Sequence, residues 1–282
     1  MVIILVLILA VVAATASPKD TLAPSAPFQK PVTTQHAVTI DGKRIEYEAT
    51  AGHLTLTKED GAERARVFFV AYTRKGTSDP ATRPLTFSFN GGPGSSSVWL
   101  HLGVLGPRRV LMNDDGTTLP PPYRLVDNEY SWLDLTDMVF IDPVSTGYSR
   151  AADEKNAKDF HGYRQDIESV GEFVRRYVSD YRRWSSPKYL IGESYGTTRA
   201  SALADHLQSQ FGMYLNGVIL VSAVLNFQTL DFAEGNDLPY AMFLPTYAAT
   251  AWYHKALPEP LQSQSLADVV QQARTFAEGE YA

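Results

Sequence analysis

The chain has 282 residues, 44% of them hydrophobic and 20% charged, which leaves room for one large domain or two smaller ones. The net charge of −6, with its basic residues scattered, excludes the concentrated basic surface of a nucleic-acid binder. No cysteine is present, so disulfides, thiolate nucleophiles and cysteine-type zinc sites are excluded; the six histidines show no ligand spacing, and neither a metal nor another cofactor is expected.

Met1 to Val12 is almost wholly apolar and runs into Ala13, Ala14, Thr15, Ala16 and Ser17. Such a run is too short for a comfortable membrane span and suits the core of a signal peptide, with Ala14-Thr15-Ala16 as the cleavage site. Residues 1–16 are therefore read as a signal peptide, and the protein as secreted or periplasmic. The usual Lys or Arg before the apolar core is missing, which keeps an uncleaved anchor as the alternative; either way the membrane is met only through this segment. Export without cysteine points to a bacterial source. Residues 17–35, rich in Pro, Ser, Ala and Thr, read as a flexible lead-in.

From His36 the pattern changes to short alternating runs. Arg44 to Ala49, His53 to Thr57 and Arg66 to Tyr72 read as strands, with Glu59-Asp60-Gly61-Ala62 turning the last two into a hairpin. Continuous apolar runs follow: Leu85 to Phe89, Met138 to Ile141, Tyr189 to Ile191 and Val218 to Val221. Runs of that kind suit parallel strands buried on both faces. Between them, Phe160, Tyr163, Ile167, Val170, Val174, Tyr177, Val178 and Tyr181 recur at helical spacing, and Ser201 to Gln210 repeats the pattern more briefly. Arg175, Arg176, Arg182 and Arg183 punctuate the longer helix and read as a solvated face. Alternation of strand and helix predicts an α/β fold with a mostly parallel sheet, preceded by antiparallel strands, over residues 36–224. Beyond Val224 the rhythm stops. Residues 225–282 read as the start of a helical cap insertion, in which most of Tyr240, Phe243, Tyr247, Trp252 and Tyr253 form a small core of their own.

The strongest chemical signal is Gly192-Glu193-Ser194-Tyr195-Gly196, set between a strand and a helix. This is the G-x-S-x-G elbow of an α/β-hydrolase fold in the setting that gives it meaning, and it nominates Ser194 as a nucleophile. Asn90-Gly91-Gly92-Pro93-Gly94-Ser95-Ser96-Ser97, after an earlier strand, is the second signal. Acyl transfer needs two backbone donors for the developing oxyanion, one from Tyr195 behind the nucleophile and one from an early loop, here Gly92.

With Asp142-Pro143-Val144-Ser145-Thr146-Gly147-Tyr148-Ser149 between them, these blocks resemble the three signature motifs of the serine carboxypeptidase family, in the family's order, with Leu105-Gly106-Pro107 after the first. The resemblance spans roughly His36 to Tyr253. It implies that Ser194 is the nucleophile, that Gly92 and Tyr195 supply oxyanion donors, and that Asn90 and Glu193 hold the free C-terminal carboxylate of a peptide substrate. Glu193 can donate only while protonated, so tighter peptide binding at acidic pH is expected. Three positions depart from the family's pattern: Ser88 stands for its Trp, Ser95 for its Cys and Val104 for its Glu. The last removes a partner from the carboxylate-binding network.

In this fold the order is Ser, acid, His. After Ser194 the histidines are His206, on the helix leaving the elbow, and His254, with Asp231 or Asp237 as nominal acids but no strand end to present them. The sequence is thus expected to be C-terminally truncated ahead of its Asp and His, and inactive as it stands. A lipase or esterase, an acyltransferase and a non-catalytic fragment are the alternatives.

Overall fold

A computed structural model of the protein describes residues 30–77 and 79–281. The expected signal peptide and most of the expected lead-in lie outside them. The chain opens with β1 (Val32–Ile40), β2 (Lys43–Thr57) and β3 (Glu63–Arg74), an antiparallel meander. Pairing therefore begins at Val32, inside the segment read as lead-in. The two runs expected as separate strands around Gly52 are one strand, β2, because β3 continues past them with unbroken register from Tyr47 to Leu56. Lys58 to Ala62 make the predicted turn, closed by Lys58 N donating to Ala62 O at 2.8 Å.

Next come β4 (Leu85–Phe89), the single helical turn α1 (Val98–Leu100), the short pair β5 (Arg108–Val110) and β6 (Leu125–Asp127), β7 (Asp137–Ile141) and β8 (Arg150–Ala151). Helix α2 (Tyr163–Asp180), β9 (Lys188–Glu193), α3 (Tyr195–Phe211) and β10 (Gly217–Val221) complete the sheet. Its order is β1-β2-β3-β7-β4-β9-β10, with β8 beside β3. The pairs β7–β4, β4–β9 and β9–β10 are parallel, as the continuous apolar runs predict. Beyond Val221 lie α4 (Leu238–Tyr253), α5 (Glu259–Gln262) and α6 (Leu266–Ala277). Among the described residues no helix is long and apolar enough to cross a membrane.

Successive residues of a strand face opposite sides of a sheet. Val139 and Ile141 accordingly join Phe69, Phe87, Phe173 and Tyr177 beneath α2 and α3, whereas Met138 and Phe140 join Tyr47, Tyr72 and Leu133 on the other face. The α2 stripe seats Ile167, Val170, Val174, Tyr177 and Val178 in the first of these cores. Arg183 corrects the reading of a solvated arginine face. It is 5% exposed and binds Asp137 Oδ2 through Nη1 at 2.7 Å, while Arg83 Nε takes the other oxygen at 2.8 Å. A carboxylate at the buried start of β7 needs such partners, and the chain leaving α2 delivers one.

Residues 225–281 also depart from expectation. Tyr240 is 41%, Tyr247 56% and Tyr253 74% exposed, and only Pro239, Val269 and Ala277 of this segment's described residues are buried. The aromatics pack on one another, Phe232 edge to face on Tyr240 and tilted against Phe243, without a second layer to enclose them.

Candidate active site

Because β7, β4 and β9 are adjacent and parallel, the three loops that leave their carboxyl ends converge. Loops at that end of a parallel sheet are where open α/β folds hold ligands. Phe89 on β4 is level with Gly192 on β9, so the Asn90 loop and the Ser194 elbow emerge side by side.

Ser194 sits between β9 and α3 with φ +57° and ψ −127°, a conformation costing about 1–3 kcal/mol for a residue with a side chain. Neighbouring bonds hold it there. Ser194 N donates to Val221 O at 3.0 Å, and Ser194 O accepts from Thr197 N at 2.9 Å and Thr197 Oγ1 at 2.7 Å. The tight turn leaves no room at Gly192, where a Cβ would lie 2.0 Å from Gly196 O. The facing loop is as close: a Cβ on Gly91 would lie 2.5 Å from Tyr195 N and 2.7 Å from Glu193 O. Tyr195 opens α3, so its N–H has no carbonyl within the helix to meet. Gly92 follows at φ +104°, and Ser95 N donates back to Gly91 O at 3.1 Å to close the loop.

Asn90 and Glu193 are brought into direct contact, Nδ2 donating to Oε2 at 3.0 Å. The amide cannot face the other way, since Asn90 Oδ1 accepts from Leu100 N at 3.0 Å. Leu100 belongs to α1, which continues as a π-turn through Leu105, an insertion that often marks functional sites. The third loop braces this one. Asp142 Oδ1 accepts from Ser97 N at 2.8 Å, and burial pushes the Asp142 carboxyl upward against the pull of that bond. Val104, which stands where the resemblance puts a glutamate, is 54% exposed.

Beside the elbow lies a cavity of about 300 Å³ lined by Pro93, Gly94, Val144, Phe160, Tyr195 and Arg199, with His161 and Ser145 2.9 Å apart on its wall. Burial, reinforced by the Asp166 carboxylate, pushes the Tyr195 phenol up to about 12, which keeps it a neutral donor. Sequence reasoning missed Asp166 and Arg199. The visible signal for Arg199 is a charged side chain on the buried face of α3, four residues after Tyr195.

The histidines make no pair with Ser194. His101 lies 2.7 Å from Tyr72 OH, His53 3.2 Å from Tyr148 O and His36 2.7 Å from Thr34 Oγ1. His206 faces Phe211 along α3, and His254 ends α4 against Tyr253, so neither nominal triad candidate is brought to the elbow. No group of three or more metal-binding side chains occurs among the described residues.

A family model of serine carboxypeptidases matches residues 40–264. The pheromone-processing carboxypeptidase KEX1 of Saccharomyces cerevisiae is 34% identical over 156 residues, covering 51% of this chain and 20% of the yeast protein. Serine carboxypeptidase-like 5 of Arabidopsis thaliana is 30% identical over 153 residues, covering 54% of this chain and 33% of the plant protein. The crystal structure of a prohormone-processing carboxypeptidase from Saccharomyces cerevisiae shares the fold with a TM-score of 0.53 at 23% identity, over 84% of this chain and 48% of that one. Each of these matches covers less than half of the relative's own length.

Proposed function

The chain belongs to the serine carboxypeptidase family, and from that premise we propose that the whole protein hydrolyses C-terminal peptide bonds through an acyl-enzyme on Ser194. In this reading Ser194 Oγ attacks the scissile carbonyl as a base removes its proton, and the oxygen that becomes negative is held by Tyr195 N–H and Gly92 N–H. Collapse of the tetrahedral species, as the protonated base returns its proton to the scissile nitrogen, expels the C-terminal residue as an amine and leaves an ester on Ser194. Water, giving its proton to the same base, then cleaves that ester. No described histidine is hydrogen-bonded to Ser194 in this structure.

The observation that carries the reading is the Asn90–Glu193 pair, 3.0 Å apart, next to a serine held at φ +57°. An amide N–H and a carboxyl side by side fit a substrate carboxylate, provided a proton is shared between the two acids. An esterase has no use for that pair. The decisive experiment compares a free-acid peptide with its C-terminal amide on the full-length protein. The free acid should be cleaved faster than the amide, and Glu193→Ala should remove that preference by raising KM for the free acid. Equal rates for acid and amide, or a preference untouched by Glu193→Ala, would exclude a carboxylate-recognising enzyme. We further infer export, supported by the apolar run from Met1 to Val12 followed by Ala14-Thr15-Ala16.

A further inference from the structure

We propose that Arg199, which does not reach the reacting atoms, is the positioning residue of the oxyanion loop; the inference rests on Ser194 being the nucleophile and goes one layer beneath it. Arg199 is 1% exposed. Its Nη1 donates to Asn90 O at 2.8 Å, and its Nε pairs with Asp166 Oδ2 at 2.8 Å. The same carboxylate oxygen accepts from Tyr195 OH at 3.2 Å. The guanidinium lies 5.3 Å from the Phe89 ring and 5.2 Å from the Tyr195 ring, so aromatic faces meet the charge where water cannot.

One side chain therefore grips both oxyanion contributors. Holding Asn90 O fixes the plane of the Asn90–Gly91 peptide, and with it the direction of the Gly92 N–H one residue on. Through Asp166 it also holds the ring of Tyr195, whose backbone N–H is the second donor. Asn90 is then pinned at its carbonyl by Arg199, at Oδ1 by Leu100 N and at Nδ2 by Glu193. A planar guanidinium can serve two acceptors at a fixed angle, whereas an ammonium binds them as a point charge. Displacement of an oxyanion donor by a fraction of an ångström is felt mainly in the transition state, so the effect belongs in kcat.

A matched control exists, because Arg183 is also buried and also paired, but with Asp137 at the opposite end of the strands. In the full-length protein, Arg199→Gln and Arg199→Lys should each lower kcat for a p-nitrophenyl ester by about 10- to 100-fold. They should slow fluorophosphonate labelling of Ser194 in parallel and leave KM within about 3-fold. Arg183→Gln should lower the melting temperature at least as much while keeping kcat within about 2-fold. Arg199→Lys retains the charge and serves if the glutamine variant does not accumulate. The inference is overturned if Arg199 variants lose no more kcat than Arg183→Gln, or if KM rises with kcat unchanged. Native protein that cleaves the ester but ignores free-acid peptides would count against the carboxypeptidase reading alone, and the Arg199 comparison would still be decided.

Discussion

Residues 85–200 and residues 225–281 are similarly rich in aromatic side chains, and both leave some exposed, Trp99 and Tyr130 among them, but only the first region buries any. In the first region Phe87, Phe89, Phe140 and Phe173 are at most 2% exposed and Tyr177 is equally enclosed. In the second, Tyr240, Tyr247 and Tyr253 remain 41–74% exposed. The aromatic content does not decide the outcome; a facing layer does. Phe173 and Tyr177 on α2 meet Phe69 and Phe87 on the sheet, whereas α4 and α6 meet chiefly each other. The same contrast runs across the last two strands. Leu190 and Ile191 on β9 are at most 1% exposed, while Val218 and Leu220 on β10, which is paired on one side only among the described residues, are each 37% exposed. Ser194, the proposed nucleophile, lies on the enclosed side of that divide, where a strained backbone is held by its neighbours.

The sharpest way to break the comparison is at its chemical centre. Ser194→Ala in the full-length protein should lower kcat by about 10⁴-fold or more, with melting unchanged within a few degrees. Retained turnover would move the chemistry elsewhere. Next in size is the packing contrast itself. Phe173→Ala should cost about 3–5 kcal/mol in denaturant unfolding, because it empties a site closed on the sheet side by Phe69. A third test uses acid. Enclosure against Phe140, 4.5 Å away, pushes His101 from its ordinary 6.5 down to about 4. The unfolded chain therefore takes up that proton first as the pH falls. Stability should drop between pH 6.5 and about 4, and level off below, with His101→Asn removing this dependence from the melting curves. The smallest effect is expected where the sheet is absent: Tyr253→Ser should shift stability by no more than about 0.5 kcal/mol. A cost comparable to that of Phe173→Ala would mean that the two regions do not differ as described.

Much of the candidate site is legible in the sequence. Four apolar runs became the four parallel strands, and the motif blocks at their ends came together because β7, β4 and β9 are neighbours. Gly192 and Gly91 could be suspected from their motifs, and the 2.0 and 2.5 Å clearances supply the reason. Arg183 was misread because a charged residue after a helix is ordinarily solvated, and nothing local reveals Asp137 waiting beneath it. Arg199 was overlooked for the same cause, its partners Asn90 and Asp166 lying 109 and 33 residues away in the chain. The continuous β2 was split in two because Gly52 interrupts the pattern, while the β3 ladder that bridges it is not local information.

The sequence by itself determined the strand and helix periods, the serine at a forced turn and the glycines that let backbone approach backbone, since these follow from local sterics and side-chain spacing. Only the tertiary structure decided which way the Asn90 amide points, which arginines are buried and which aromatics find a core. Those outcomes depend on groups tens of residues apart meeting in a medium of low dielectric, where an unpaired charge or carbonyl is costly, and no local pattern records that.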